Sequence, residues 1–200
     1  MEEKKITEQE SLELIARMIE STKENLEVGN GNQFLYWGYF SVFLSVVIFA
    51  CVYFTGNLHF TALWFLMFVF WLVLSLKTKK PKAVTYIDRA INSVWQVLGA
   101  MFVIATVSLM ALSYYTGHGY MTFMMPFSIL FLSIGSSISG VILRNRMASY
   151  FPLVGSLVGF YAFVGYFNSI DMALWQLLFG LAAVFSFIIP GHLLNRKPSE

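Results

Sequence analysis

The chain has 200 residues, of which 58% are hydrophobic, 18% aromatic and 12% charged, and its formal net charge is +2. A soluble globular protein carries about 25% charged residues, so this chain has too little polar surface to hold its apolar side chains away from water. We therefore expect lipid to be its main solvent. Because the apolar residues form long unbroken runs rather than an alternating pattern, the sequence excludes a β-barrel and predicts an all-α membrane protein.

The first predicted element is an amphipathic helix over residues 7–28, before any apolar run. Leu12, Ile15, Ile19, Thr22 and Leu26 recur at steps of three and four, which places them on one side of a helix. We call the four apolar members, Leu12, Ile15, Ile19 and Leu26, the apolar stripe, and we expect them to be buried against a partner. Residues 1–33 are predicted to form this cytosolic helix and its linker.

Three surfaces compete to bury the apolar stripe. Residues 1–33 hold eight Glu against four Lys or Arg, so an anionic leaflet is the poorest partner, since interfacial helices usually carry basic residues on their polar face. Residues 77–89 hold five basic residues and one Asp, which would attract the acidic helix. A second copy of the chain or a cytosolic regulatory protein would also cover the stripe, and the sequence leaves these choices open.

Six apolar runs follow, each long enough to cross a membrane. A helix rising ~1.5 Å per residue needs about 20 residues to cross a hydrocarbon core of ~30 Å. The sequence therefore predicts a bundle of six transmembrane helices within residues 34–194, followed by a tail at 195–200. The predicted spans are 34–55, 58–76, 91–115, 121–143, 150–168 and 170–194.

The basic residues predict the orientation of these spans. The first, third and fifth connections carry no Lys or Arg, whereas the N-terminal segment, the second and fourth connections and the tail carry all thirteen. Positive residues favour the cytoplasmic side, so we expect both termini in the cytoplasm and the chain in a bacterial inner membrane. Four lysines of the second connection are expected to contact anionic lipid headgroups, and no nucleic-acid module accompanies them. These are Lys77, Lys79, Lys80 and Lys82.

Small residues predict where the helices pack most closely. Gly135 and Gly140 lie on a ridge of small residues in the fourth span, and Gly155 and Gly159 form a small-xxx-small pair in the fifth. Such ridges let two backbones approach in lipid, where no hydrophobic force drives helices together. We expect the fourth and fifth spans to make the tightest contact.

Little in the sequence points to catalysis. No Lys, Arg, Asp or Glu lies near the centre of any span, and no hydrolase, metalloprotease or phosphate-loop motif is present. His59, His118 and Asp171 fall on the predicted outer face, but no ligand spacing supports a metal site there. We expect no enzyme activity, no metal and no cofactor.

Two glutamines support an alternative function. Trp95-Gln96 and Trp175-Gln176 lie three spans apart, so they would run in opposite directions, as in inverted-repeat transporters. Gln96 and Gln176 would then line a cavity for a neutral or apolar solute. Hydrogen bonding between helices is the simpler role for such side chains.

Part of the chain resembles the opening of a group of small, uncharacterised bacterial multi-span membrane proteins. The resemblance covers residues 12–40, and it implies a functional context beside small winged-helix regulators, with no catalytic or binding residues. Together with the acidic helix, it predicts a non-enzymatic regulatory or scaffolding protein. The matching segments are Leu14-Ile15-Ala16-Arg17-Met18-Ile19, Lys23-Glu24-Asn25 and Phe34-Leu35-Tyr36-Trp37-Gly38-Tyr39.

Overall fold

The computed structural model describes residues 30–77, 86–168 and 171–195, together with four isolated helical positions at 9, 12, 13 and 16. Most of the predicted N-terminal helix, the middle of the second connection and the tail lie outside these residues. The predictions for Ile15, Ile19 and Leu26 of the apolar stripe, and for three of the four lysines, therefore fall outside the described part of the chain. Those lysines are Lys79, Lys80 and Lys82.

Six helices, α1 to α6, make up the described chain, and all six are long and apolar enough to cross a membrane. The predicted all-α class is confirmed for these residues. Helix α2 begins as 3₁₀ helix, α4 begins with a 3₁₀ turn, and α6 contains a π-helical turn. The bounds are α1 Asn30–Thr55; α2 Leu58–Phe65 (3₁₀) and Leu66–Lys77; α3 Tyr86–Thr116; α4 Tyr120–Phe123 (3₁₀) and Met124–Ile142; α5 Arg146–Phe167; α6 Met172–Ala183, Val184–Ile188 (π) and Ile189–Asn195.

Short polar turns set the ends of these helices. Asn57 begins α2 by accepting a hydrogen bond from the His59 amide at 2.9 Å, and Asn145 caps α5 in the same way. Asp171 caps α6 through the Ala173 amide at 2.7 Å. These side chains satisfy amides that the first helical turn leaves free, so the position of the cap fixes where each helix begins.

The contacts between helices show that α1 and α6 run antiparallel, as do α4 and α5. Gly31 lies beside Gly191 near one end of the α1–α6 pair, and Ser45 beside Gln176 in the other half. We call the end where α1, α3 and α5 begin the proximal end, and the end where α2, α4 and α6 begin the distal end. The turn between α4 and α5 lies at the proximal end.

Four helices form the core, and two lie at its edge. Helices α4 and α5 make the most extensive contact of any pair, as predicted for the fourth and fifth spans, and α1 with α6 comes next. Leu44 and Ile48 of α1 and Ile129 of α4 are almost fully buried. By contrast, the described residues of α2 and α3 include no buried side chain, so these helices cover the outside of the core.

Candidate functional site

The least regular point of the core is the π-helical turn of α6, and Pro190 explains it. Proline has no amide hydrogen, so Pro190 cannot bond to the Ser186 carbonyl four residues earlier, and its ring would clash with that carbonyl. Widening the helix over Val184–Ile188 relieves the clash, and the Ile189 amide then bonds to Val184 five residues back. Proline and π-helical turns are recognised causes of helix irregularity, and π-turns are frequent at functional sites.

Helix α4 supplies the hydrogen bond that Pro190 cannot. The Ser136 hydroxyl donates to the Ser186 carbonyl, and the Ser133 and Ser186 hydroxyls lie 3.1 Å apart. All three serines are at most 1% exposed. We call Ser133, Ser136 and Ser186 the serine joint, because they join α4 to the irregular turn of α6 through polar contacts in an otherwise apolar core.

Helix α5 closes the serine joint through Gly155. A Cβ atom at Gly155 would collide with the Ser186 hydroxyl and would lie 2.9 Å from the Ser133 hydroxyl. Glycine is therefore needed here for close approach rather than for its backbone conformation. Three helices meet at this point, and none of the three serines is charged.

The segment of α6 after the π-turn is tied to the start of α1. Gly31 and Gly191 pack so closely that a Cβ at Gly31 would lie 2.5 Å from the Gly191 carbonyl. The Tyr39 hydroxyl lies 2.8 Å from His192 Nε2. Further out, Asn195 Nδ2 donates to the side-chain oxygen Oδ1 of Asn32 at 2.7 Å.

These contacts join the start of α1 directly to the end of α6 at the proximal end. Helix α1 begins immediately after the acidic N-terminal segment, so that segment enters the membrane part where α1 is bonded to the last residues of α6. A displacement of the start of α1 would be passed to the end of α6. The nearest irregular point that can absorb it is the π-turn.

The four glycines predicted to pack helices all lie in close contacts, although with different partners. Gly140 of α4 faces α5, and a Cβ atom there would lie 2.6 Å from the Ala148 backbone. Gly159 of α5 faces α4, and a Cβ atom there would lie 3.1 Å from the Ile129 side chain. Gly155 faces the serine joint. Gly135 instead faces α3, where a Cβ would lie 2.6 Å from Leu98 and 3.0 Å from Trp95.

The structure does not bring Gln96 and Gln176 together. Gln176 is 6% exposed, and its Oε1 accepts a hydrogen bond from Trp64 Nε1 at 2.9 Å in the distal half of the core. Gln96 is exposed on α3, and its neighbour Trp95 packs against Phe187. Phe187 lies eleven residues beyond Gln176, which corresponds to about 16 Å along α6.

The predicted partner-binding stripe is described at one position. Leu12 is helical and 66% exposed, and Ala16 one turn later is also exposed. Helices α1 to α6 therefore leave Leu12 largely uncovered. Lys77, the fourth lysine predicted to contact lipid headgroups, is the last residue of α2 at the proximal end.

His59, His118 and Asp171 all lie at the distal end. The described residues contain no group of three His, Cys, Asp or Glu side chains placed to hold an ion. His118 Nδ1 lies 2.8 Å from the Thr116 carbonyl within its own turn.

Sequence reasoning missed the serine joint and its dependence on Pro190. It placed a ridge of small residues around Gly135 and Gly140 in the fourth span, but it did not connect this ridge with the sixth span. The available signal was the pairing of an interior proline with a serine-rich neighbouring span. Which serine faces the Ser186 carbonyl depends on how α4 and α6 are rotated about their axes. The sequence does not contain that information directly.

Comparisons with family models, with curated proteins and with solved structures find no match to this chain.

Proposed function

We propose that this chain is a non-enzymatic integral protein of a bacterial inner membrane, with both termini in the cytoplasm, that binds another protein chain through its acidic N-terminal segment. The partner is a second copy or a cytosolic regulatory protein, and the role is regulatory or scaffolding. The exposure of Leu12 carries the proposal. An apolar side chain on a stripe of four that stays 66% exposed beside its own six helices calls for a different surface to cover it.

The attachment of the N-terminal segment gives such binding a consequence in the membrane. Asn32 is hydrogen-bonded to Asn195, and Tyr39 lies within hydrogen-bond distance of His192, so α1 and the end of α6 are joined at the proximal end. A partner that holds the N-terminal segment would bias the position of both helices. This coupling favours a regulatory role over a purely passive anchor.

The distribution of arginines supports the orientation in the proposal. Arg89, Arg144 and Arg146 all belong to the proximal end, where α1 starts and α6 stops. The distal turns at 56–57 and 117–119 carry no Lys or Arg. An excess of positive charge at one end is typical of the cytoplasmic side.

The interior of the membrane part supports a scaffold better than a pathway for solute. Its buried polar side chains, in the described residues, are serines and Gln176, and Gln176 is bonded to Trp64 and to the Met172 carbonyl. Glycines lie where the core helices contact one another, and a Cβ atom added at these glycines would lie at van der Waals distance from the neighbouring helix or closer. The transporter alternative calls for a cavity lined by Gln96, Gln176 or pairs of tryptophans, and the separation of Gln96 from Gln176 argues against one chamber lined by both glutamines.

A photo-cross-linking experiment tests the proposal. A photoreactive amino acid is placed at Ile15, on the apolar stripe, and in a matched control at Glu24, on the opposite side of the predicted helix. We expect irradiation of intact cells to join the Ile15 probe to a second polypeptide and the Glu24 probe to give much less product. Deleting residues 1–28 should leave insertion of the six spans unchanged.

Capture of the Ile15 probe by residues of its own chain alone, with no heavier product, would contradict the proposal. That outcome would assign the apolar stripe to the basic second connection of the same molecule. Equal products from the Ile15 and Glu24 probes would show that the segment has no preferred face, which also contradicts it.

A further inference from the structure

Helix α3 carries polar side chains on an exposed flank beside the side that packs on α4. Trp95, Leu98 and Thr106 face α4, where they contact Gly135 and Met124. At 3.6 residues per turn, a different set gathers on one flank of the helix, roughly 80° around from these three residues. This set, which we call the outer seam, is Asn92, Gln96, Gly99, Val103 and Met110, and every member is exposed.

Gln96 of the outer seam lies at the depth of the hydrocarbon, and Asn92 lies one turn nearer the proximal end. Trp95 packs against Phe187, which is eight residues from the end of α6 and so about 12 Å from the proximal end. Gln96 is also seven residues beyond Arg89, which corresponds to about 10 Å along α3. No described residue hydrogen-bonds to the side chain of Asn92 or Gln96. An amide in hydrocarbon without a partner is unfavourable by several kcal/mol.

Gly99 adds a second observation on the same seam. A Cβ atom at Gly99 would meet nothing within 4 Å, so the fold of the single chain does not require glycine there. Glycine inside a helix is less favourable than alanine by about 1 kcal/mol. A small residue next to polar ones on a lipid-facing side is typical of a surface that another helix approaches closely.

We propose that the outer seam of α3 pairs with the same seam of a second copy of this chain. Copies inserted by the same rule share one orientation, so two α3 helices would lie parallel and each seam residue would meet its own counterpart. The steps of four, three and four from Asn92 to Val103, and of seven from Val103 to Met110, match the positions that a two-helix seam needs. Thr106, at the intervening position, contacts Met124 of α4, so the seam borders the α3–α4 contact.

The chemistry of the seam fits a second copy better than an unrelated helix. A side-chain amide is both a donor and an acceptor, so Gln96 facing Gln96 of the partner copy forms a reciprocal pair, and Asn92 does the same one turn away. Gly99 then meets Gly99 and lets the backbones approach. Val103 and Met110 continue the contact with apolar side chains.

Cysteine cross-linking in the membrane tests this pairing in the full chain. In a Cys51→Ser background, Gln96→Cys and Val103→Cys each place one thiol on the seam, and Ser108→Cys places one on another exposed side of α3. Ser108 lies twelve residues from Gln96, about 120° around the helix. On mild oxidation of native membranes we expect both seam cysteines to give a product of twice the 22.8 kDa chain mass. The Ser108→Cys control should give at least fivefold less.

Two results would overturn the proposal. One is a seam cysteine that cross-links no better than Ser108→Cys, and the other is a product whose second component is a different protein. A second variant links the result to the amides. Adding Asn92→Leu with Gln96→Leu to the Val103→Cys chain should lower its cross-linking about tenfold at equal membrane content, since the interhelical hydrogen bonds are lost. Unchanged cross-linking of this variant would show that the amides do not hold the contact.

Discussion

The Ser186 carbonyl shows how one residue can make a membrane helix depend on its neighbour. Pro190 removes the amide that would bond to it, and the Ser136 hydroxyl replaces that amide from α4. In lipid no water substitutes for the lost partner, so the carbonyl must find one within the protein. Helix α6 thus lacks one of its own backbone hydrogen bonds, and a hydrogen bond from α4 takes its place.

Substitution of Ser136 tests how much this hydrogen bond between helices contributes to stability. Ser136→Ala leaves the buried Ser186 carbonyl without its donor, and we expect the free energy of unfolding to fall by about 1–3 kcal/mol. Ser137→Ala is the matched control, since the Ser137 hydroxyl lies on the same helix and has no hydrogen-bond partner in the described structure. Its cost should stay within about 0.5 kcal/mol. Unfolding in mixed detergent micelles measures both.

A double variant separates the loss of this hydrogen bond from general damage to the core. Pro190→Ala restores an amide four residues after Ser186, so Ser136→Ala should be much less costly in the Pro190→Ala chain than in the native chain. Additive effects of the two substitutions would contradict the role given to Ser136.

At the scale of helices, the α4–α5 contact depends on glycines. The atoms packed against these glycines differ in how freely they can move. Beside Gly140 the nearest atoms belong to the Ala148 and Ser149 backbones at 2.6 Å, whereas beside Gly159 they belong to the side chains of Ile129 and Leu130 at 3.1 Å. Side chains can rotate away, but a capped helix start such as that of α5 cannot move independently.

We therefore expect Gly140→Ala to be much more damaging than Gly159→Ala. The first substitution should lower the free energy of unfolding by about 1–3 kcal/mol through overpacking, and the second by less than about 1 kcal/mol. Detergent unfolding of the two variants beside the native chain provides the comparison. Equal effects would show that the α4–α5 contact is more adaptable than the distances indicate.

The same scale shows what a sequence can predict about helices in a membrane. All six apolar runs became helices, because hydropathy reports directly on the hydrocarbon. The starts of α1, α3 and α5 lie four to five residues earlier than the apolar runs, at Asn30, Tyr86 and Arg146. At the start of α5 the Asn145 side chain caps the helix, and an apolar run does not register such a cap. The early start of α5 also puts Pro152 inside the helix.

For the whole molecule, the candidate site was predicted less well than the fold. The sequence identified Gly155 and Gln176 as unusual, but their partners lie on other helices: the serine joint for the first and Trp64 for the second. Such pairs depend on how each helix is rotated about its axis. Composition and spacing constrain that rotation weakly, because both lipid and the protein core accept apolar side chains.

The molecule as a whole combines a core of four closely packed helices with two outer helices and a proximal end that receives the acidic segment. In our account the core serves as a scaffold. The proximal end couples the acidic N-terminal segment to α1 and α6, and α3 pairs with a second copy. The role of the proximal end requires that end to face the cytoplasm.

Labelling with a membrane-impermeant thiol reagent tests that requirement most directly. In a Cys51→Ser background, His118→Cys places a thiol at the distal end and Ser199→Cys places one in the tail beyond α6. We expect intact cells to show labelling of the His118→Cys chain alone, and permeabilised cells to show labelling of both. Labelling of the tail in intact cells, or protection of position 118, would contradict the six-span arrangement with both termini inside.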